Sequence, residues 1–493
     1  MSKTANTLAA LTAFLVAGSA VSLYAQPAGI DLTLKDAVVL AFRNNLDVKV
    51  ELYNPAMAEA VLEGSYGIYN PLLSLGADYS RTSNSNTITY TPVKVDQFTA
   101  SAGVSQLLPT GGTVGGTLTS SWLGNAGDFY SDALNLTLSQ PLLRNFGRET
   151  TELTINVSRL NKEGALERFR TKLFDTVAQV RNDYFKLYNL REQLAVQRTA
   201  LGLANKILEE TKGRVKAGVL PAMEILNAEF SAASREKAVI DAERAVKDQM
   251  DVLRLSLQLP PGEIAVVDQP TKEFYAVTEE QALALAANNR PELSAQIAAI
   301  QANDLQERVA RNKTLPDLSL NANVGAGGFD PRFAQGLSDT AAVRSPVWGV
   351  GLQFNYPIGN DAAKNELIRA KLALDQSRVQ LKSLESGIAN DVRAAIRLLL
   401  SSYKQLDVTA RGTAYAQQRL DAFRKRNAVG LATTKDVFDV ENDLVAAQGN
   451  QIQALVDYNN AITQLWRVTG ELLDRQGIRV SERDADAVYR GAR

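Results

Sequence analysis

Leu32-Thr33-Leu34-Lys35-Asp36-Ala37-Val38-Val39-Leu40-Ala41-Phe42-Arg43-Asn44 is answered 245 positions later by Val277-Thr278-Glu279-Glu280-Gln281-Ala282-Leu283-Ala284-Leu285-Ala286-Ala287-Asn288-Asn289. Thr33, Ala37, Leu40, Ala41 and Asn44 recur as Thr278, Ala282, Leu285, Ala286 and Asn289, and Pro71, Leu73, Ser74 and Leu75 as Pro316, Leu318, Ser319 and Leu320. Downstream the offset falls to 212: Val180, Arg181, Leu187, Leu194, Arg214, Gly218 and Glu229 return as Val392, Arg393, Leu399, Leu406, Arg426, Gly430 and Glu441. A unit this long is no short-period solenoid. It is one large motif written twice.

Each copy reads as short helices, then strands, then a long helical hairpin. The first copy spans about 32–259, with strands at about 72–141 and a hairpin at about 149–258. The second spans about 277–473, with strands at about 316–358 and a hairpin at about 361–470. Residues 474–493 form a polar, charged tail, expected to be loosely ordered. Lys3, an apolar run from Leu8 to Ala17 and small residues up to Ala25 read as a cleavable secretory signal, cut after Ala20 or Ala25.

Composition removes whole classes of function. With 53 basic and 54 acidic residues the net charge is −1, so no nucleic-acid footprint is present. The 493 residues include no His and no Cys. The commonest general base, the commonest metal ligand and every thiol nucleophile are therefore missing, as are disulfides. No cofactor is implied. Acid pairs are spread along helix faces, whereas a glycosidase needs two carboxylates across one cleft. An enzyme is not expected. Nor does any 18-residue apolar run follow the signal, so any membrane span would be a barrel.

The strands have the alternation a barrel wall needs. Trp348, Val350, Leu352, Phe354 and Tyr356 alternate with Gly349, Gly351, Gln353 and Asn355, and Leu73, Leu75, Ala77 and Tyr79 with Ser74, Gly76, Asp78 and Ser80. Period two gives one greasy face and one wet face. The drop in offset from 245 to 212 leaves the first copy 33 residues longer, mostly between Gly76 and Pro141. Two further alternating segments lie there, near Phe98–Val104 and Val114–Trp122, around a tight turn at Pro109. That hairpin either joins the wall or projects as a flap, with outer loops near Thr82–Val95 and Leu123–Asp132. Four or six strands cannot close a barrel, for which about eight is the usual minimum. Several chains must share one.

Residues 149–213 and 361–429 contain no proline, so each could run roughly 100 Å as helix. Stripes such as Leu173, Val177, Val180, Tyr184, Leu187 and Ile388, Val392, Ala395, Leu399 argue coiled-coil packing into a rod or tube. Each rod turns at a break. In Lys216-Ala217-Gly218-Val219-Leu220-Pro221, Gly218 supplies a left-handed terminus and Pro221 starts the return helix. In Gly430-Leu431-Ala432-Thr433, Thr433 with Asp436 makes a capping box. The tips Gly218, Val219, Leu220, Gly430 and Leu431 read as docking knobs for a partner, or as mere connectors.

In this order and duplication, the chain resembles the TolC-type outer-membrane efflux proteins over about Leu32 to Leu473. The carriers are Leu32-Thr33-Leu34-Lys35-Asp36-Ala37, Asn44-Asn45, Asn70-Pro71-Leu72-Leu73, Gln140-Pro141-Leu142-Leu143, the two Gly tips, and Leu465-Trp466-Arg467-Val468-Thr469-Gly470. The resemblance implies an α+β membrane protein: a homotrimer whose strands share one β-barrel, twelve-stranded in the usual form, continued by a long periplasmic α-helical barrel. It implies as partners a periplasmic adaptor protein, an inner-membrane RND or ABC transporter, and outer-membrane lipid. It places a pore constriction at Asp436 and Asp439, three apart on one helix face; the bland alternative is ordinary first-turn acids. Glu224 is the first-copy equivalent. The tyrosine and arginine that latch the family's best-known gate fall on Asn427 and Ala432, so that lock is missing, while Arg424, Lys425 and Arg426 lie nearby. The function implied is a passive exit duct for efflux or type I secretion, opened by docking. A non-conducting tether between two membranes is the rival reading.

Overall fold

The computed structural model describes residues 30–85, 92–124, 128–478 and 482–492. The expected signal segment lies outside these. In chain order the elements are β1 (Ile30–Leu32), α1 (Leu34–Asn44), α2 (Leu46–Ser65), β2 (Leu72–Ser85), β3 (Pro92–Leu107), β4 (Thr113–Gly124) and β5 (Phe129–Pro141). There follow α3 (Arg148–Thr151), α4 (Leu153–Lys216), α5 (Met223–Leu257) and β6 (Ile264–Val266). The second copy runs α6 (Glu279–Asn289), α7 (Pro291–Asn312), β7 (Asp317–Asp330), α8 (Phe333–Ala341), β8 (Pro346–Asn355), α9 (Asp361–Ala428) and α10 (Thr434–Thr469). Two last helices are α11 (Leu472–Arg475) and α12 (Glu482–Ala492). The tail expected to be loose thus carries a helix, anchored where Lys162 bridges Glu59 and Asp486.

Two long helices set the length of the molecule. α4 has 64 residues and α9 has 68, about 96 and 102 Å at the usual rise. Their return helices α5 and α10 have only 35 and 36. The shortfall is filled end to end. Asn45 N-caps α2 through the Val48 N–H at 3.1 Å, and its amide donates to the Ser256 carbonyl in the last turn of α5 at 3.0 Å. One side chain thereby satisfies an orphan donor of one helix and an orphan acceptor of the next. In the second copy Arg290, at the start of α7, donates to the Val468 carbonyl at the end of α10. Gly470 closes α10 at φ +75°, where a Cβ would meet the Asn289 backbone, so this junction admits only glycine.

The linker between copies is pinned by buried tyrosines. The Tyr184 hydroxyl donates to the Leu32 carbonyl (2.9 Å) and accepts from the Val267 and Asp268 N–H groups (3.1 and 3.0 Å). Tyr458 likewise donates to the Glu273 carbonyl and accepts from the Tyr275 N–H. Where α4 meets α10, Arg181 is buried with its guanidinium 5.0 Å over the Trp466 ring and Nε donating to the Thr463 hydroxyl. Burial pulls its pKa down to about 10, still charged at neutral pH.

β1 and β6 make a short parallel pair, and the other six strands form one antiparallel sheet in the order β2-β3-β4-β5-β7-β8. The extra hairpin therefore joins the sheet: β3 and β4 are its second and third strands counted from the β2 edge, lying between β2 and β5. Strands also extend to Ser85 and from Pro92, and to Gly124 and from Phe129, so the outer loops are shorter than expected. Register aligns an apolar row Leu75, Ala102, Leu118, Leu134 and Ala326 across five strands on one face. At the outer end Tyr79, Phe98, Trp122 and Tyr130 are successive cross-strand partners. Immediately beyond them Arg81 pairs with Asp96. The other face carries Ser74, Gly103, Thr117, Asn135 and Gly325 in one row. Apolar side chains such as Trp348, Val350 and Leu352 are 77%, 66% and 68% exposed, a face no water-soluble sheet would leave bare.

Replacing Tyr184 with Phe keeps the ring but orphans three backbone groups. We expect a loss of about 1–3 kcal/mol, read as a lower melting temperature in detergent.

Candidate functional site

The two hairpin tips lie side by side at the end of the helical rods. Gly218 (φ +75°) and Gly430 (φ +79°) end α4 and α9 in the left-handed conformation, with open space around each. Both breaks are closed by the same bond pattern. The Gly218 and Val219 N–H groups reach the Val215 and Arg214 carbonyls, and Gly430 and Leu431 reach Asn427 and Arg426, all within 2.9–3.0 Å. The glycine reading holds at both tips. Pro221 stands two residues before the first helical residue of α5, rather than starting it.

Val219 and Leu431 are exposed at 67% and 69%, while Leu220 is half-buried. A groove of about 960 Å³ runs between the tips, lined among others by Ile207, Arg214, Val219, Asn427 and Val437. Across it Arg214 is the main link. Its two terminal nitrogens donate to the Asn427 carbonyl (3.3 and 3.4 Å), the Asn427 side-chain oxygen (3.2 Å) and the Ala428 carbonyl (2.9 Å). A cation placed on the last carbonyls of α9 is where the helix dipole favours it. Asn427 is itself oriented by donating to the Ala432 carbonyl at 2.9 Å. The two positions where the resemblance places a latch are thus joined to each other and to Arg214.

The expected constriction acids differ in their surroundings. Thr433 and Asp436 form the capping box: the Thr433 N–H and hydroxyl both donate to Asp436 Oδ2, and the Asp436 N–H returns to the Thr433 hydroxyl. Those bonds, backbone first, hold the Asp436 carboxyl below its usual range. One of its oxygens is therefore engaged in starting α10. Asp439 is exposed one turn on. Glu224, the first-copy counterpart, is half-buried with Oε2 unbonded.

Glu441, two residues beyond Asp439 on α10, was not singled out as a site by sequence. It is 1% exposed, its carboxylate 3.8 Å from Arg235 of α5 and hydrogen-bonded to nothing, while Arg235 donates to the Asn442 side chain at 2.5 Å. Burial pushes its pKa up and Arg235 pulls it part of the way back. Its twin Glu229 is exposed. No periodicity distinguishes the two; only packing does. Among the described residues no cluster of acids could hold a metal ion.

The signature of outer membrane efflux proteins matches residues 115–257 and 282–471, once in each copy. The chain belongs to the outer membrane efflux protein family. It is similar to the outer membrane efflux protein BepC of Brucella suis, 25% identical over 334 residues, 66% of this chain and 70% of that one. It is also similar to the pyoverdine export outer membrane protein OpmQ of Pseudomonas aeruginosa, 25% identical over 61% of this chain and 62% of the relative. Among solved structures the Campylobacter jejuni CmeC outer membrane channel superposes with a TM-score of 0.66 at 16% identity, covering 93% of this chain and 89% of CmeC. CusC gives 0.68 at 17% identity, covering 91% and 95%. This efflux protein is thus a TolC-type outer-membrane channel, a transport protein and not an enzyme, with its helical part in the periplasm. No described helix is long and apolar enough to cross a membrane.

The two tip acids carry opposite pH signs. Asp436, with its pKa lowered below 3.8, lends the cap stability that is present above that value and lost as pH falls through the folded pKa. Glu441, raised above 4.5, lends stability present below that value and lost as pH rises through the folded pKa. In Glu441→Gln the decline in melting temperature on raising the pH from about 4 to 7 should flatten. An unchanged slope would show that Glu441 does not titrate there.

Proposed function

We propose that this channel is the exit duct of a tripartite efflux or type I secretion system, assembled as a homotrimer. The observation that carries the reading is the sheet. Its six strands alternate in direction, so the edge strands β2 and β8 run opposite ways. β8 of one copy then meets β2 of the next in the antiparallel sense of every other pair in the wall. Three copies close with eighteen strands, three times the six of one sheet. Barrels of that size leave an aqueous channel. The apolar row faces lipid, the Ser-, Thr-, Asn- and Gly-rich face lines the lumen, and Tyr79, Phe98, Trp122 and Tyr130 form the outer aromatic girdle. The resemblance implied twelve strands; the hairpin β3–β4 raises the number and widens the mouth.

Below the wall, four long helices per chain continue as a periplasmic tube. The duct is passive, and the driving energy comes from an inner-membrane RND or ABC transporter reached through a periplasmic adaptor. The adaptor docks at Gly218, Val219, Leu220, Gly430 and Leu431 and splays the tips. Three copies of Asp439 ring the narrow end and select cations, with Asp436 contributing less because one oxygen is held in the cap.

Native mass and planar-bilayer recordings test this. A trimer that passes small ions supports the duct; a trimer that passes none, even with its tips mutated, supports the tether. In a salt gradient Asp439→Asn should shift the reversal potential toward zero, and more than Asp436→Asn does. Equal potentials for wild type and Asp439→Asn would remove Asp439 from the pore.

A further inference from the structure

Arg214 and the acceptor it uses each have a duplicate, and one chain satisfies only one of the two resulting pairs. Within the chain, Arg214 of α4 reaches the last carbonyls of α9, at Asn427 and Ala428. Moved by the offset of 212, the donor becomes Arg426 of α9 and the acceptors become Val215 and Lys216, the last carbonyls of α4. Both helix ends have the same left-handed closure, so the acceptor carbonyls are presented alike. Yet Arg426 is exposed, and among the described residues its guanidinium reaches no hydrogen-bond acceptor, lying against the Phe423 ring at 5.4 Å with the Asp436 carboxylate near enough to feel its charge.

Along the rods, helix faces are also left uncovered in the same sense. In the chain α4 packs on α10 across the seam between copies. The duplicate of that seam brings α9 against α5, which among the described residues share no substantial packing within one chain. Phe230, Ile240 and Leu255 of α5 and Leu372, Val408 and Tyr415 of α9 are among the exposed apolar residues of these two helices, 59–79% accessible. The occupant that fits both the apolar faces and the arginine is a second copy of this chain.

We propose that Arg426 clamps the C-terminal carbonyls Val215 and Lys216 of the neighbouring copy, as Arg214 clamps those of α9 within the chain. The proposal rests on the trimeric reading above. It gives the tip ring six clamps of two strengths. Arg214 also bonds the Asn427 side chain, whereas the duplicate of Asn427 is Val215, which has no side-chain acceptor. The three seams between chains are therefore the weaker ones, and the tip opens there first. This supplies a latch where the family's tyrosine and arginine are missing.

The absence of cysteine makes the test clean, because introduced thiols have no competitors. Arg426→Cys combined with Lys216→Cys, treated in the purified full-length protein with a short bis-methanethiosulfonate linker, should convert the monomer band into a dimer and trimer ladder on a denaturing gel. Arg214→Cys with Ala428→Cys should cross-link without changing the band's mass. Separately, Arg426→Ala should raise the open probability in bilayers about tenfold, the loss of one charge-assisted bond per seam, and Arg426→Lys should restore part of it. A trimeric native mass with no ladder, or with unchanged open probability in Arg426→Ala, overturns the clamp and leaves the duct standing. A monomeric native mass in detergent overturns the trimeric reading itself, and the clamp with it.

Discussion

The structure depends on one unmet demand, the hydrogen-bonding groups along the outer edges of β2 and β8. In hydrocarbon an unpaired backbone group costs several kcal/mol, and no water is there to relieve it. A six-stranded sheet with its apolar side chains bare on one face is therefore not a finished object. What finishes it must offer a matching edge, and the opposite directions of β2 and β8 make another copy of the same sheet such an edge. The extra hairpin preserves this property because it adds two strands. A single added strand would have set β2 and β8 parallel and spoiled the closure.

The same economy governs the rods. A helix of 64 or 68 residues has no partner of its own length in the chain, so two shorter helices are laid end to end against it. End-to-end joints expose orphan carbonyls and N–H groups, and Asn45 and Arg290 stand at those joints to satisfy them. Because Asn45 both caps α2 and terminates α5, the position of the short helices near the sheet is tied to the position of the return helix near the tips. Mechanical coupling between the tip end and the barrel end passes through such joints and through the tyrosine-pinned linker.

The period-two and heptad patterns were legible because each is a local consequence of one face being buried or bathed in lipid. The tips were legible for the same reason: a left-handed residue wants glycine, and Thr433 with Asp436 announces a helix start. What could not be read was set by packing between distant segments. Whether β3 and β4 entered the wall depended on register with β2 and β5, and alternation alone is indifferent to which neighbour a strand takes. Glu441 and Glu229 occupy equivalent places in the repeat, yet one is sealed beneath Arg235 and the other is exposed. Arg214 was visible as a repeated residue, but its acceptors are backbone carbonyls, which leave no mark in a sequence.

Duplication explains why the two copies have drifted unequally. On the trimeric reading proposed above, each ancestral seam has become two, one within a chain and one at its boundary, and the residues serving them no longer need to match. Asn427 facing Arg214 while Val215 occupies the twin position is such a divergence, as is Arg181 buried against Trp466 while Arg393 pairs with Glu279 at 2.7 Å. A tube of identical seams would loosen everywhere at once. One with alternating strong and weak seams can open along three lines while each chain keeps its own hairpins together, so a passive duct can gate without coming apart.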